Sequence, residues 1–143
     1  QWKQQDFDAK LAYTEEDLKT FLMPLVDAGI DMFHASNRRY WEPEFEGSNL
    51  NLAGWTKKLT GLPTITVGSV GLKSDFIGLY AGEDAVESQS IDDLVKRMEA
   101  DEFDMVAIGR ALLSDPEWVK KVKAGDFEEI IPFEKKYARE VYF

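Results

Sequence analysis

Leu18, Phe21, Leu22, Leu25 and Val26 stand at i, i+3, i+4, i+7 and i+8, the apolar stripe of an amphipathic helix. Thr14 precedes the stripe with Asp17 three residues on, so the pair reads as a capping box opening that helix. Pro24 lies inside the pattern and predicts a kink or an early end, and Gly29 predicts a C-cap. IDMFHA, Ile30–Ala35, then reads as a short strand. Residues 36–49, SNRRYWEPEFEGSN, form an acidic and aromatic loop, followed by a helix over Leu52–Thr60 that Gly61 closes. Pro63–Val67 is the second strand. After a polar stretch, Ser90 is placed to cap a helix whose Ile91, Leu94, Val95 and Met98 share a face. Asp104–Ile108 is the third strand. Asp115 as cap, Pro116 at the first helical position and Gly125 past the end frame a further helix, and Glu134–Val141 predicts a last one.

The strands start at residues 30, 63 and 104, 33 and 41 residues apart, with a helix before each. That alternation predicts right-handed βαβ units and a parallel sheet. A weak repeat supports it: AGIDMF and DEFDMV both close a helix and open a strand, with Asp31 and Asp104 in corresponding places. No linker or low-complexity stretch interrupts residues 1–143, which predicts one domain. Two α/β architectures fit, an open doubly wound sheet and part of a (β/α)8 barrel. A whole barrel needs ~250 residues. Three complete units, plus the tail of an earlier strand at Gln1–Lys3, would make the C-terminal half of one. The chain opens on Gln1 rather than Met, and the expectation is a piece of something longer.

Glycine placement favours the barrel. A dinucleotide-binding sheet wants G-x-G-x-x-G at its first strand–helix turn, and GSVG at residues 68–71 lacks the third glycine. A barrel often holds phosphate with the loops after its last two strands. TVGSVGL, residues 66–72, and IGRALL, residues 108–113, follow the last two strands here. Glycines let backbone N–H groups approach an anion closely, and Arg110 adds a planar charged fork.

Composition narrows the partners. The 27 acidic and 17 basic residues give a net charge of −10, with no basic stripe for nucleic acid. No apolar run approaches the roughly 18 residues that span a bilayer, and no stretch has a signal-peptide pattern. With no cysteine, thiolate catalysis, disulfides and cysteine-ligated metals are excluded from these residues. A cytoplasmic protein acting on a small molecule, without a metal, is the expectation.

GRALLSDPEWVKKVKAGDFEEIIPF, residues 109–133, resembles the C-terminal end of the Old Yellow Enzyme family, the FMN-dependent NAD(P)H:flavin oxidoreductases. TVGSVGL and the opening QWKQQDF resemble it too, so the similarity runs over essentially the whole chain. The resemblance implies an FMN-binding (β/α)8 barrel, with this chain running from the end of its fifth strand through its eighth. It implies hydride transfer from NAD(P)H through FMN to an electron-poor alkene such as an α,β-unsaturated carbonyl. Gly68 and Ser69 match the family's first phosphate loop, with Val70 expected to turn its backbone inward beside them, and Gly109 and Arg110 match the second. The family's flavin-contacting arginine precedes the position of Gln1. Its substrate-orienting His/Asn pair and tyrosine proton donor lie on the earlier half, so no catalytic residue is assigned and the chain alone is expected to be inactive. Self-association, or pairing with the missing N-terminal half, is the expected way to cover an open half-barrel.

Other readings stay open. The same two loops would serve a barrel isomerase or aldolase acting on sugar phosphates, although no strand carries a catalytic Lys or Glu. A non-catalytic, associating half-barrel is the third. His34, the only histidine, reads as structural or as an active-site group at a strand end. Tyr13, Tyr40 and Tyr80 match no proton donor. The loop Asn37–Gly47 reads as a substrate gate or subunit clasp built from Arg38, Arg39, Tyr40 and Trp41, or as a loop packed on Trp41 and Phe45. Glu42 and Glu44 lie on a loop whose spacing fixes no acid–base geometry. DAVESQSIDD, residues 84–93, reads as a solvated loop and helix start rather than a metal site.

Overall fold

The computed structural model describes residues 2–3, 6, 8–73, 85–86 and 89–139. They form a mixed α/β structure with a small parallel sheet, divided into two compact units. The first comprises Gln1–Gly68 and Asp92–Ala107, the second Ser69–Ile91 and Ile108–Phe143.

In the first unit, helix α1 spans Glu15–Asp27. Thr14 and Asp17 form the expected box: Asp17 N–H donates to Thr14 Oγ1 at 3.1 Å, and Thr14 N–H donates to the Asp17 carboxylate at 3.1 Å. Pro24 does not end the helix, which continues to Asp27. Its close is a Schellman turn, with Gly29 N–H on Val26 O at 2.9 Å, Ile30 N–H on Leu25 O at 3.3 Å and Gly29 at φ +89°. That turn uses the Ile30 N–H, and strand β1 starts three residues later than expected, at Phe33–Ser36. Its first ladder bond runs from Phe33 N–H to Pro63 O at 3.0 Å.

Helix α2 spans Leu52–Thr60 as expected, capped by Asn51 and closed by Gly61 at φ +70°. Strand β2, Thr64–Val67, lies between β1 and β4, Met105–Ala107. Both pairings are parallel, with Phe33 opposite Thr64 and Ile65 opposite Met105. This bears out the parallel α/β reading. Helix α3, Asp92–Glu99, leads into β4. Only Leu94 of its expected face is buried; Val95 and Met98 are exposed. The core is built from Phe33 and Ala35 of β1, Leu18 and Leu22 of α1 and Leu52, Ala53 and Trp55 of α2, all buried, with α2 in contact with α1, β1 and β2. The repeat does not carry one role at both sites. Asp104 Oδ2 accepts the Thr64 N–H at 2.8 Å and its Oδ1 pairs with Lys57 at 2.9 Å, whereas Asp31 is exposed.

The expected strand tail at Gln1–Lys3 is not found in its described part. Trp2 and Lys3 pair with no strand, and Lys3, at φ +49°, donates its N–H to Ala9 O at 2.7 Å in a local turn.

In the second unit, strand β3, Ala85–Val86, pairs antiparallel with β5, Phe133–Glu134. Between them in sequence lie α4, Arg110–Ser114, α5, Trp118–Ala124, and a 3-10 turn at Phe127–Glu129; α6, Lys135–Arg139, follows β5. Asp115 is not the cap expected of it: α5 starts at Trp118 rather than Pro116 with Glu117 in the cap position, and Asp115 Oδ1 instead accepts the Glu117 N–H at 3.1 Å in the turn before the helix. Gly125, at φ +83°, closes α5. The helix expected over Glu134–Val141 starts one residue late because Glu134 belongs to β5, and its end lies outside the described residues.

Candidate functional site

In the first unit, the residue that follows the carboxyl end of β2 is Gly68, at φ +130°. A side chain there would put its Cβ 2.6 Å from Asn37 O and 2.9 Å from Arg38 C and O. Tyr40 N–H donates to Gly68 O at 3.1 Å. Glycine is therefore demanded by the loop after β1, which crosses the strand end at backbone contact distance. The sequence pointed to Gly68 as a phosphate-loop glycine; the contact with residues 37–40 was not visible there.

The second unit begins on the next residue. Ser69 is buried at φ +51°, a left-handed conformation that non-glycine residues rarely adopt. Its carbonyl accepts the Leu72 N–H at 3.0 Å, so residues 69–72 form a tight turn. The Val70 side chain is buried, which leaves only its backbone for contact with a ligand. Gly71, at φ +70°, lies under Trp118, where a Cβ would come within 2.9 Å of the indole ring.

Arg110, the first residue of α4, reaches back to this turn. Its Nη2 donates to Ser69 Oγ at 3.1 Å, and its Cζ lies 5.8 Å from the centre of the Phe133 ring. Apart from its two chain neighbours, no described residue comes within 4 Å of where a Gly109 side chain would begin. The structure thus brings Ser69 and Arg110 into direct contact, with Gly109 as an open backbone position beside Arg110. A guanidinium and a hydroxyl, with glycine backbone alongside, are donors suited to an oxyanion. Phe133 was missed in the sequence, since nothing in its spacing marks it as a neighbour of Arg110.

The remaining described candidates lie in the first unit. His34 is exposed on β1, at the margin of an apolar cavity of about 220 Å³ lined by Phe21, Leu25, Phe33 and Leu52 among others. The loop over Asn37–Gly47 is packed on several sides. Tyr40 is buried, its ring edge-on to Trp41 at 5.1 Å, and Phe45 meets Trp55 at 5.4 Å. Burial pushes the Tyr40 hydroxyl above its ordinary value of 10.0, and Asp93 adds to the rise. Arg39 pairs with Glu42 at 2.7 Å. Glu44 is a buried structural acid, held by Lys10 at 2.9 Å and Lys3 at 3.3 Å. Tyr13 is exposed, and Tyr80 lies outside the described residues. Among the described residues no acidic or histidine group is arranged for a metal ion. Nor is any helix there long and apolar enough to cross a membrane.

The fold and the Ser69–Arg110 contact define a class no narrower than a mixed α/β protein with a candidate oxyanion site. No family model matches the chain. It is similar to an NADH oxidase of Thermoanaerobacter brockii, 33% identical over 125 residues. That alignment covers 82% of this chain but only 16% of the relative's length.

Proposed function

We propose that the chain is the C-terminal half of an FMN-binding (β/α)8 barrel and belongs to an oxidoreductase of the Old Yellow Enzyme type. The observation that carries the reading is the Arg110–Ser69 hydrogen bond, which joins the two loops that the resemblance assigns to the flavin phosphate. The parallel order β1-β2-β4 supports it, as does the similarity to a protein named NADH oxidase. The residues fit the phosphate end of FMN: Arg110 supplies charge, Ser69 a hydroxyl, and Val70 and Gly109 backbone N–H groups. Gly68 precedes Ser69 in the same loop.

When bound, FMN supplies a two-electron relay, by which NAD(P)H gives up hydride and becomes NAD(P)+, and an electron-poor alkene gains that hydride on one carbon and a proton on the other. The part of this chain is to bind and orient the cofactor's phosphate. Arg110→Ala in the complete polypeptide is expected to weaken FMN retention by about 1.5–3 kcal/mol, the cost of losing a hydrogen bond to a charged group. Equilibrium dialysis of FMN against wild type and variant measures it, and unchanged affinity removes the assignment.

A further inference from the structure

We propose that Phe133 is the positioning residue for Arg110: its ring is a shelf that attracts the guanidinium and keeps it in place for the phosphate of the bound flavin, so that the site selects FMN over unphosphorylated flavin. The inference rests on the FMN reading above.

The shelf is fixed from several directions. Phe133 is fully buried and pairs with Val86 in the β3–β5 ladder. Two residues earlier, both backbone groups of Ile131 are held. Its N–H donates to Asp115 Oδ2 at 3.0 Å, and its carbonyl accepts from Ser114 Oγ at 3.2 Å. Lys121 Nζ, 2.8 Å from the same carboxylate oxygen, fixes Asp115 in turn. Ser114 ends α4 and Asp115 follows it, while Arg110 begins that helix. One short helix therefore carries the cation at one end and, at the other, clamps the segment that delivers the ring beneath it.

The contact suits an arginine. At 5.8 Å, the Cζ lies within the roughly 6 Å over which a ring face attracts a cation. A guanidinium carries its donors in a rigid planar fork, so attraction to the ring together with the Ser69 contact limits where the fork points, whereas an ammonium turns freely. Ser69 Oγ supplies another fixed point, accepting from Nη2. A fork ordered in advance loses less rotamer freedom on meeting a phosphate. Riboflavin, which has no phosphate, gains nothing from that order.

The test compares FMN and riboflavin binding to the complete polypeptide by quenching of flavin fluorescence. Phe133→Leu is expected to weaken FMN about three- to thirty-fold, the range of a cation–ring contact, and to leave riboflavin unchanged. Phe133→Tyr, which keeps the ring, should restore FMN affinity. In an Arg110→Gln background, Phe133→Leu should have no further effect on FMN. Equal losses for both flavins, or the same loss in both backgrounds, would assign Phe133 a core role alone and overturn the proposal. Should the leucine variant not fold, Phe133→Met fills the space with a more adaptable side chain. Independently of any variant, the wild-type Arg110 side-chain protons should show an upfield ring-current shift in NMR, and its absence also overturns the proposal. A wild type that binds both flavins equally removes the FMN reading itself, and the shelf's role falls with it; a wild type that prefers FMN while Phe133→Leu keeps the preference removes only the shelf.

Discussion

Asn51 Nδ2 donates to Tyr40 O at 2.7 Å from a fully buried position, tying the start of α2 to the loop that follows β1. The same amide group donates to Thr66 Oγ1 at 3.1 Å, and Oδ1 accepts the Gly54 N–H at 2.9 Å as the helix cap. Tyr40 in turn donates its N–H to Gly68 O. The bonds close a ring from Asn51 through Tyr40 and Gly68, along β2 to Thr66, and back to Asn51.

Asn51→Ala is expected to cost about 2–4 kcal/mol, since it removes a helix cap and strands two buried acceptors. Asn51→Asp keeps the cap acceptor but turns a carboxylate toward the Tyr40 carbonyl, so it should be no milder at neutral pH. Urea unfolding of the two variants measures this; a loss no larger than that of an exposed N-cap, about 1 kcal/mol, would show that the ring contributes nothing beyond the cap.

Gly68 and Gly61 provide a matched pair. Both have positive φ, but apart from its chain neighbours no described residue comes within 4 Å of the Gly61 Cβ position, whereas at Gly68 backbone atoms of residues 37 and 38 stand at 2.6 and 2.9 Å. Gly61→Ala should cost about 1 kcal/mol, the strain of a left-handed alanine. Gly68→Ala adds a clash that backbone must move to relieve, and should cost about 3 kcal/mol or more. Equal melting temperatures for the two variants would contradict the close approach of residues 37–38.

Local chemistry was legible in the sequence, and contact between distant residues was not. Thr14 with Asp17, and Gly61 and Gly125 past helix ends, act within a few residues of themselves, so spacing reveals them. Strand limits were overdrawn where a neighbouring turn had taken the backbone groups, as Gly29 does for Ile30. The apolar face of α3 was overdrawn for another reason: periodicity marks a stripe without saying what covers it, and Val95 and Met98 remain exposed. At the candidate site, glycine and arginine at strand ends drew notice by type. Phe133 under Arg110 and Asn37 over Gly68 bring together residues more than twenty positions apart, which no window along the chain reveals.

The isolated 143-residue chain is expected to associate with itself. Among the described residues, β1 and β4 each pair on one side only, and unpaired strand edges invite another strand. Phe21 and Leu25 of α1 are exposed on the lining of the cavity next to β1. Covering a few hundred Å2 of such surface at about 25 cal/mol per Å2 is worth several kcal/mol. Sedimentation at micromolar concentration tests this. A well-folded 16.3 kDa species at every concentration would show that these edges and apolar side chains are tolerated in water.

Acid should loosen the second unit through Asp115. Burial pushes this carboxyl up, but the Lys121 ammonium and the N–H groups of Ile131 and Glu117 outweigh it, and the net position lies below the ordinary value of 3.8. A folded-state value below the unfolded one means that the carboxylate's contribution is complete above about 3.8 and is lost as pH falls through the folded value. Protonation weakens the Lys121 pair and the acceptor for Ile131 N–H together, and so should release the segment leading to Phe133. Asp115→Asn cannot titrate. It should be less stable than wild type at neutral pH, and its stability should fall less steeply on acidification below 3.8. Urea midpoints measured from neutral pH down into that range decide it: parallel curves for wild type and variant would mean that another carboxyl governs the acid transition.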